Sequence, residues 1–221
     1  MKYKGAIFDM DGVLFDTERI HQESWHEIAK ERNVELGEDY LQAISGTAGE
    51  HMRHVVESHY HVEDGTEIVE ECMRLVREKL EKEVPVKTGV YEILDLFQKK
   101  GLKMAVASSS RKEQIQRNLH NAKIYAYFDE VVSSSEVEHG KPAPDVFLYA
   151  AEKIGCRPEE CFVFEDSENG VRAGNAAGCM TIMIPDLIEP SEEIRPYCSE
   201  ICSDFFGVAK MLEEKIERCN F

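Results

Sequence analysis

Two carboxylates stand close together near the amino terminus, in the stretch AIFDMDGVLFDTE. Asp9 and Asp11 are separated by one residue and follow an apolar run at residues 6 to 8. Two negative charges at this spacing repel each other, and one takes up a proton unless a cation or a special environment offsets the repulsion. The pair therefore indicates a bound cation or acid–base chemistry. A lone Asp-x-Asp-Gly is also typical of turns, but the calcium-loop pattern fails because Gly12 follows Asp11 directly.

Further polar residues follow other short apolar runs of the chain. Ser108 and Ser109 come after the run at 102–107, and Glu165 and Asp166 come after the run at 161–164. Lys141 lies in the loop EHGKPAPD, which follows the run at 130–133. Ligands of open α/β sheets bind beyond the carboxyl ends of the strands. We therefore expect these side chains and the aspartate pair to meet at one edge of a sheet.

Each of these residue types suits the binding of a phosphate together with a divalent cation. The carboxylates of Asp9, Glu165 and Asp166 are hard oxygen ligands of the kind that Mg²⁺ takes, while substrate phosphate and water complete its coordination. A hydroxyl at Ser108 and the backbone amides before a helix that starts near residue 111 can hold an anion. Lys141 can neutralise a phosphate or the nucleophile as a point charge. Mg²⁺ is the predicted cofactor.

Short apolar runs recur along the chain and predict parallel strands that are buried on both faces of a sheet. The runs are GAIF at 5–8, LKMAVA at 102–107, EVVS at 130–133, CFVF at 161–164 and MTIMI at 180–184. Amphipathic helical segments separate the later runs: KEQIQRNLHNA, PDVFLYAAEKIG and SENGVRAGNAAG. This alternation predicts an α/β fold with an open, parallel, Rossmann-like sheet.

The first two predicted strands are separated by far more residues than a single crossover needs. The intervening segment has helical periodicity and contains no run typical of a strand. We therefore predict an inserted all-helical cap domain over residues 16–85, within an α/β core formed by residues 1–15 and 86–221. Pro85 marks the boundary, and Thr88 and Gly101 are predicted to begin and end the helix that follows.

Composition limits the classes of partner and the compartment. The chain of 221 residues has 43 acidic and 26 basic residues and a net charge of −17, which disfavours binding to nucleic acid or to an anionic membrane. Seven cysteines without a Cys-x-x-Cys pair are typical of reduced thiols in the cytoplasm. No apolar run approaches the length of a membrane span or a signal peptide. We expect a cytoplasmic monomer whose partner is a small molecule.

Four motifs, FDMDGVLFDTE, VASSS, GKPAPD and VFEDSENG, stand in this order along the chain. Together they resemble the haloacid dehalogenase-like superfamily of phosphotransferases, and within it the branch that contains beta-phosphoglucomutase and small sugar-phosphate phosphatases. The resemblance covers nearly the whole chain and implies a helical cap after the first motif. The second aspartate, Asp11, separates this chain from the dehalogenases of the family, which lack it and need no metal.

The resemblance also implies a role for each motif residue. Asp9 would be the nucleophile that forms an aspartyl-phosphate, and Asp11 the general acid and base. The phosphoryl group would be held by Ser108, Ser109 and Lys141. The implied metal site consists of Asp9, Asp11 through its backbone carbonyl, Glu165 and Asp166.

The position of His21 leaves two readings open. It follows the FDTE of the first motif, where the related mutase has a histidine near its active site, so it is a candidate substrate contact. An ordinary histidine on a helix surface is the alternative.

The predicted function is that of a Mg²⁺-dependent phosphatase acting on a small phosphorylated metabolite, such as a sugar phosphate, through an aspartyl-phosphate. A phosphomutase of the beta-phosphoglucomutase type is the first alternative. The mutase has an arginine after its cap glycine that grips the distal phosphate, whereas Gly49 stands at that place here and the nearest arginine is Arg53. A catalytically silent module that binds a phosphometabolite or a protein is the second alternative.

Overall fold

The computed structural model describes residues 3–44, 47, 49–186 and 189–218. The chain divides into two compact units. One is an α/β unit formed by the described parts of Met1–Phe15 and Pro85–Phe221, and the other is a helical unit, Asp16–Val84. The helical unit ends one residue before the predicted cap boundary at 85. Val86 forms a β-bridge with Phe15 within the α/β unit.

The α/β unit is built on a sheet of six strands whose neighbouring pairs are all parallel. The strands are β1 (Gly5–Phe8), β2 (Lys103–Ser108), β3 (Glu130–Ser133), β4 (Cys161–Glu165), β5 (Met180–Met183) and β6 (Glu200–Ile201). Their order across the sheet is β3-β2-β1-β4-β5-β6. This sheet confirms the predicted α/β class and all five predicted strands. The prediction missed β6, because its two residues form no apolar run.

Among its described residues, the helical unit contains four helices around an apolar core of its own. They are α1 (Thr17–Glu31), α2 (Glu38–Ile44), α3 (Gly49–Tyr60) and α4 (Thr66–Lys82). On α4 the buried residues recur every four positions, as one face of a helix requires, at Ile68, Cys72, Val76 and Leu80. The single tryptophan, Trp25, is 2% exposed in this core, and its carbonyl accepts a hydrogen bond from the Tyr60 hydroxyl.

Five helices of the described ranges cover the two faces of the sheet. They are α5 (Val90–Lys99), α6 (Lys112–Asn121), α7 (Asp145–Lys153), α8 (Glu168–Ala176) and α9 (Phe205–Arg218). On one face Phe8 stacks 4.8 Å from Phe164 and lies 5.8 Å from Phe205 of α9, measured between ring centroids. On the other face Ile7 and Phe147 of α7 share one apolar cluster. Consecutive residues of β1 therefore pack into opposite layers, as the alternation of side chains along a strand requires.

The start of α5 corrects the prediction that Thr88 caps this helix. Gly89 is the residue that precedes the helix, and its φ of 81° is a left-handed conformation that glycine adopts without strain. A Cβ atom at this position would also lie 3.0 Å from the Cβ of Phe205. Gly101 does end the helix as predicted, with φ of 72° and an amide that donates to the Gln98 carbonyl.

Six cysteines of the described ranges are free thiols: Cys72, Cys156, Cys161, Cys179, Cys198 and Cys202. Cys219, the seventh, lies outside the described residues. Over the part of the chain that the structure describes, no helix combines the length and the apolar character needed to cross a bilayer.

Candidate active site

The chain turns sharply where β1 ends, and this turn carries the two aspartates. The Asp9 amide donates to the Phe164 carbonyl of β4 at 2.9 Å, so the ladder continues one residue beyond the strand. The amide of Phe15 then reaches back to the Met10 carbonyl at 3.0 Å. The Asp9 side chain is buried at this turn, with 9% of its surface exposed. Asp11, on the outer part of the turn, is partly exposed.

Lys141 connects the carboxyl ends of three neighbouring strands. Its ammonium group forms an ion pair with Asp9 after β1, donates to the Ala107 carbonyl of β2 at 3.2 Å, and donates to Glu165 Oε1 of β4 at 2.6 Å. The Lys141 side chain is only 7% exposed. The ammonium is therefore held at the edge of the sheet by partners that lie far apart in the sequence.

Glu165 uses both carboxylate oxygens within the protein. Besides the bond from Lys141 to Oε1, its Oε2 accepts hydrogen bonds from the amides of Asp166 and Ser167 and from the Ser167 hydroxyl, each at 3.0 Å. The side chain is 1% exposed. Glu165 thus ties Lys141 to the turn between β4 and α8.

These contacts involve residues of the predicted set of metal ligands. Among the described residues, no three His, Cys, Asp or Glu side chains are arranged as a group that could hold a metal ion. In this arrangement the oxygens of Glu165 face Lys141 and the turn amides. Metal binding by Asp9, Glu165 and Asp166 stays a prediction.

The electrostatics of the site favour a bound cation. Burial raises the pKa of Asp9 to about 7, with repulsion from Glu165 and Asp11 adding to burial and Lys141 opposing it. Burial, followed by repulsion from Glu165 and Asp9, also raises the pKa of Asp166. Burial by itself would lower the pKa of Lys141, but Asp9 and Glu165 raise it, so this group stays charged. One ammonium cannot balance three carboxylates, and a further positive charge would keep Asp9 and Asp166 ionised.

The Asp166 carboxylate occupies space that a side chain at position 12 would take. A Cβ atom built on Gly12 would lie 2.1 Å from Asp166 Oδ2, and the φ of 81° at Gly12 also favours glycine. The glycine of the first motif therefore allows the carboxylate of the fourth motif to approach the turn after β1.

The serines that follow β2 differ in their surroundings. Ser108, which is the last residue of β2, is 1% exposed, and its hydroxyl accepts a hydrogen bond from the Ser110 amide at 3.0 Å. Ser109 is exposed. Sequence reasoning missed Ser110, whose hydroxyl donates to Asp11 Oδ2 at 3.0 Å. The only available signal was the third serine of VASSS, one position beyond the two that were chosen.

Two further polar features are His21 and an ion pair between Lys87 and Asp186. His21 lies on α1 of the helical unit, and a role in substrate binding stays a prediction for it. Sequence reasoning also missed an ion pair between Lys87 and Asp186, with 2.5 Å between nitrogen and oxygen. Asp186 follows β5 and adds to the negative charge that raises the pKa of Asp166. Its signal was a carboxylate shortly after an apolar run.

Comparison with known proteins identifies the family. A model of the haloacid dehalogenase-like hydrolases matches residues 6–184, which include all four motifs. The chain belongs to the haloacid dehalogenase-like hydrolase family. This membership confirms the resemblance carried by the motifs.

Relatives of this haloacid dehalogenase-like hydrolase align over most of its length. A phosphorylated carbohydrates phosphatase of Thermotoga maritima is 33% identical over 180 residues, which are 79% of this chain and 82% of the relative. The fructose-1-phosphate phosphatase YqaB of Escherichia coli is 32% identical over 178 residues, 80% of this chain and 94% of the relative. A family hydrolase from Deinococcus radiodurans, solved with bound phosphate and sodium, shares the fold with a TM-score of 0.83 at 23% identity, over 96% of each chain.

Proposed function

We propose that this hydrolase is a Mg²⁺-dependent phosphatase that acts on a small phosphorylated metabolite, such as a sugar phosphate, through an aspartyl-phosphate on Asp9. The observation that carries the proposal is the buried Asp9 carboxylate, which stands at the end of the central strand in an ion pair with Lys141. The two relatives described above, which are named as phosphatases of phosphorylated carbohydrates and of fructose 1-phosphate, support this substrate class.

The residues present fit a magnesium ion. Mg²⁺ is commonly bound through one or two carboxylates, with water and substrate phosphate filling its other positions. Asp9 and Asp166 would supply the two carboxylates, and the backbone carbonyl of Asp11 a third oxygen. When bound, Mg²⁺ would neutralise negative charge on the phosphate that is being transferred.

The protein groups would carry out the reaction in two transfers. Asp9 attacks phosphorus while the substrate ester bond breaks, and Asp11 gives a proton to the departing alcohol oxygen. Asp11 then takes a proton from water, which attacks phosphorus and releases inorganic phosphate and the free Asp9 carboxylate. General acid–base assistance of this kind contributes roughly 10²–10⁴-fold to a rate. Lys141, Ser108, Ser109 and the first amides of α6 would hold the phosphoryl oxygens throughout.

The phosphomutase alternative is less well supported by the helical unit. Arg53 is the nearest arginine to the place where the mutase holds a distal phosphate, and its guanidinium Nε lies 3.2 Å from Glu57 Oε1. A second contact joins Arg53 to Glu50 at 3.5 Å. An arginine already paired with carboxylates on its own helix is a poorer partner for a phosphate.

The proposed function is tested with a generic aryl phosphate and a panel of sugar and nucleotide phosphates, each with Mg²⁺ and with a chelator. We expect Mg²⁺-dependent release of inorganic phosphate, with the highest specificity constant for a phosphorylated carbohydrate. Movement of a phosphate group within a sugar, without net release, would identify a mutase instead. If neither reaction occurs with any substrate, the silent binding module is the better interpretation.

A separate prediction concerns the proposed metal site and compares the effects of substituting Asp166 and Glu165. Asp166→Asn removes a proposed ligand charge and should raise the Mg²⁺ concentration needed for half-maximal activity, with partial recovery at high Mg²⁺. Glu165→Gln should change this concentration less, since Glu165 contacts Lys141 and the turn amides. Its main effect should be on the rate at saturating Mg²⁺, by roughly 10–100-fold, as is usual for groups that orient others.

Titration of activity against Mg²⁺ decides this comparison, and Asp186→Asn serves as the matched control because it removes a nearby charge that is paired with Lys87. An Asp166→Asn variant with the parent's half-saturation and rate would remove Asp166 from the metal site. Ca²⁺ is expected to bind without supporting turnover, because its coordination is larger and less rigid.

A further inference from the structure

Gly170 lies in α8, and its backbone conformation does not require a glycine. It is buried within the helix, and it is not one of the glycines with a left-handed backbone. A glycine inside a helix is unfavourable relative to alanine, because it loses more backbone entropy on folding. A different physical reason must therefore account for the missing side chain.

The space beside Gly170 is filled by the Glu165 carboxylate. A Cβ atom built on Gly170 would lie 1.8 Å from both Cδ and Oε1 of Glu165, and 2.3 Å from Oε2. These distances are far inside van der Waals contact, so a methyl group and this carboxylate cannot share the position. The side chain that would have to move is the one that holds Lys141 at 2.6 Å.

We propose that Gly170 is a positioning residue. Because it has no side chain, the Glu165 carboxylate can occupy the space beside α8 and accept the hydrogen bond from Lys141. The packing of α8 thereby sets the position of the Lys141 ammonium beside Asp9. The catalytic part of this inference rests on the proposed phosphatase function. A substituent at 170 would push the Glu165 carboxylate away, and Lys141 would keep only Asp9 and the Ala107 carbonyl among these three partners. Misplacement of a catalytic group by about 1 Å can cost about 10²-fold in rate.

Gly174 provides a matched control on the same helix, one turn further along. A Cβ atom there would lie 2.7 Å from the Thr181 hydroxyl oxygen and 2.9 Å from a methyl carbon of Val163. Gly174 therefore allows α8 to pack closely on the sheet and contacts no residue of the candidate active site among these neighbours. Gly174→Ala would disturb packing alone, whereas Gly170→Ala would displace Glu165.

The first experiment measures unfolding by heat or denaturant in the full chain and does not depend on activity. Gly170→Ala is expected to lower the unfolding midpoint in the parent. In a Glu165→Ala background the same substitution is expected to leave the midpoint unchanged or to raise it. The Glu165 carboxylate is then absent from the space beside position 170, and alanine favours the helix over glycine. Gly174→Ala should lower the midpoint in both backgrounds. A loss from Gly170→Ala in both backgrounds, or in neither, would overturn the proposal.

The second experiment measures Mg²⁺-dependent hydrolysis of an aryl phosphate by the folded variants. Gly170→Ala should lower kcat/KM by roughly 10–100-fold, the usual cost of disturbing a group that orients a catalytic residue. Gly174→Ala should lower it far less. Adding Gly170→Ala to Glu165→Ala should cause no further loss, and equal losses from the two glycine variants would contradict the positioning role. If the parent is inactive, the proposed function fails, while the unfolding comparison still decides whether Gly170 provides the space that the Glu165 carboxylate occupies.

Discussion

Phosphate release is expected to fall to the assay background when Asp9 is replaced by asparagine, while the fold survives. The amide keeps the shape of the carboxylate but has no charge with which to attack phosphorus. Loss of the catalytic nucleophile costs about 10⁶-fold in kcat in the serine protease subtilisin. Burial already raises the pKa of Asp9, so a neutral side chain is tolerated there, and Lys141 keeps its bond to Glu165. The unfolding midpoint should therefore change little.

Three measurements check the Asp9 prediction: steady-state phosphate release, the unfolding midpoint, and the protein mass after rapid quenching with substrate. The parent should gain the mass of one phosphoryl group, and Asp9→Asn should not. Asp16→Asn is the control, since Asp16 lies just beyond the turn and pairs with Arg19 at 2.9 Å. Retention of even a few per cent of the parent rate, once deamidation and contaminating enzyme are excluded by mass and by repeat purification, would count against a covalent step at Asp9.

Replacement of Asp11 by asparagine is expected to slow turnover by roughly 10²–10⁴-fold, the range that general acid–base catalysis supplies. The amide keeps the backbone carbonyl that is proposed to face Mg²⁺ but cannot exchange the proton. It can still accept the hydrogen bond from Ser110, which reaches Asp11 Oδ2 at 3.0 Å, so the turn should keep its shape. The half-saturating Mg²⁺ concentration should accordingly stay near that of the parent.

A series of aryl and alkyl phosphates tests the proton-transfer role of Asp11. The loss should be smallest for phenols that leave without a proton and largest for simple alcohols. Formation of the aspartyl-phosphate in a single turnover should show this dependence more clearly than steady-state turnover, since the second transfer does not involve the alcohol. Equal losses for all leaving groups at the bond-breaking step would show that Asp11 is not the general acid.

Local sequence information determined most of the secondary structure. Strand and helix periodicity follow from which residues face an apolar layer, and this pattern is written in consecutive residues, as in GAIF and in the four buried positions of α4. The two exceptions have physical causes. The cap of α5 depends on the backbone angle of Gly89 and on the nearness of Phe205, and β6 is too short to have a pattern.

The family motifs determined which residues are candidates for catalysis and binding. Each candidate lies in a recognisable stretch of the sequence: Asp9, Asp11, Lys141, Glu165 and Asp166. The directions in which these side chains point, and the partners that they contact, could not be predicted from the motifs. Glu165 was expected among the metal ligands, yet its oxygens face Lys141 and the amides of its own turn. A carboxylate has several rotamers, and the one adopted depends on the neighbours that surround it.

The sequence by itself therefore determined the parallel α/β class, the positions of the five main strands and the candidate residues for binding phosphate. Only the tertiary structure decided how those residues pair, because the deciding contacts join distant parts of the chain. Lys141 meets Asp9 across 132 positions and Glu165 across 24, and Ser110 meets Asp11 across 99. No local pattern encodes a contact of this kind. It forms because β2, β1 and β4 are adjacent in the sheet and because Gly170 and Gly12 leave room for two carboxylates.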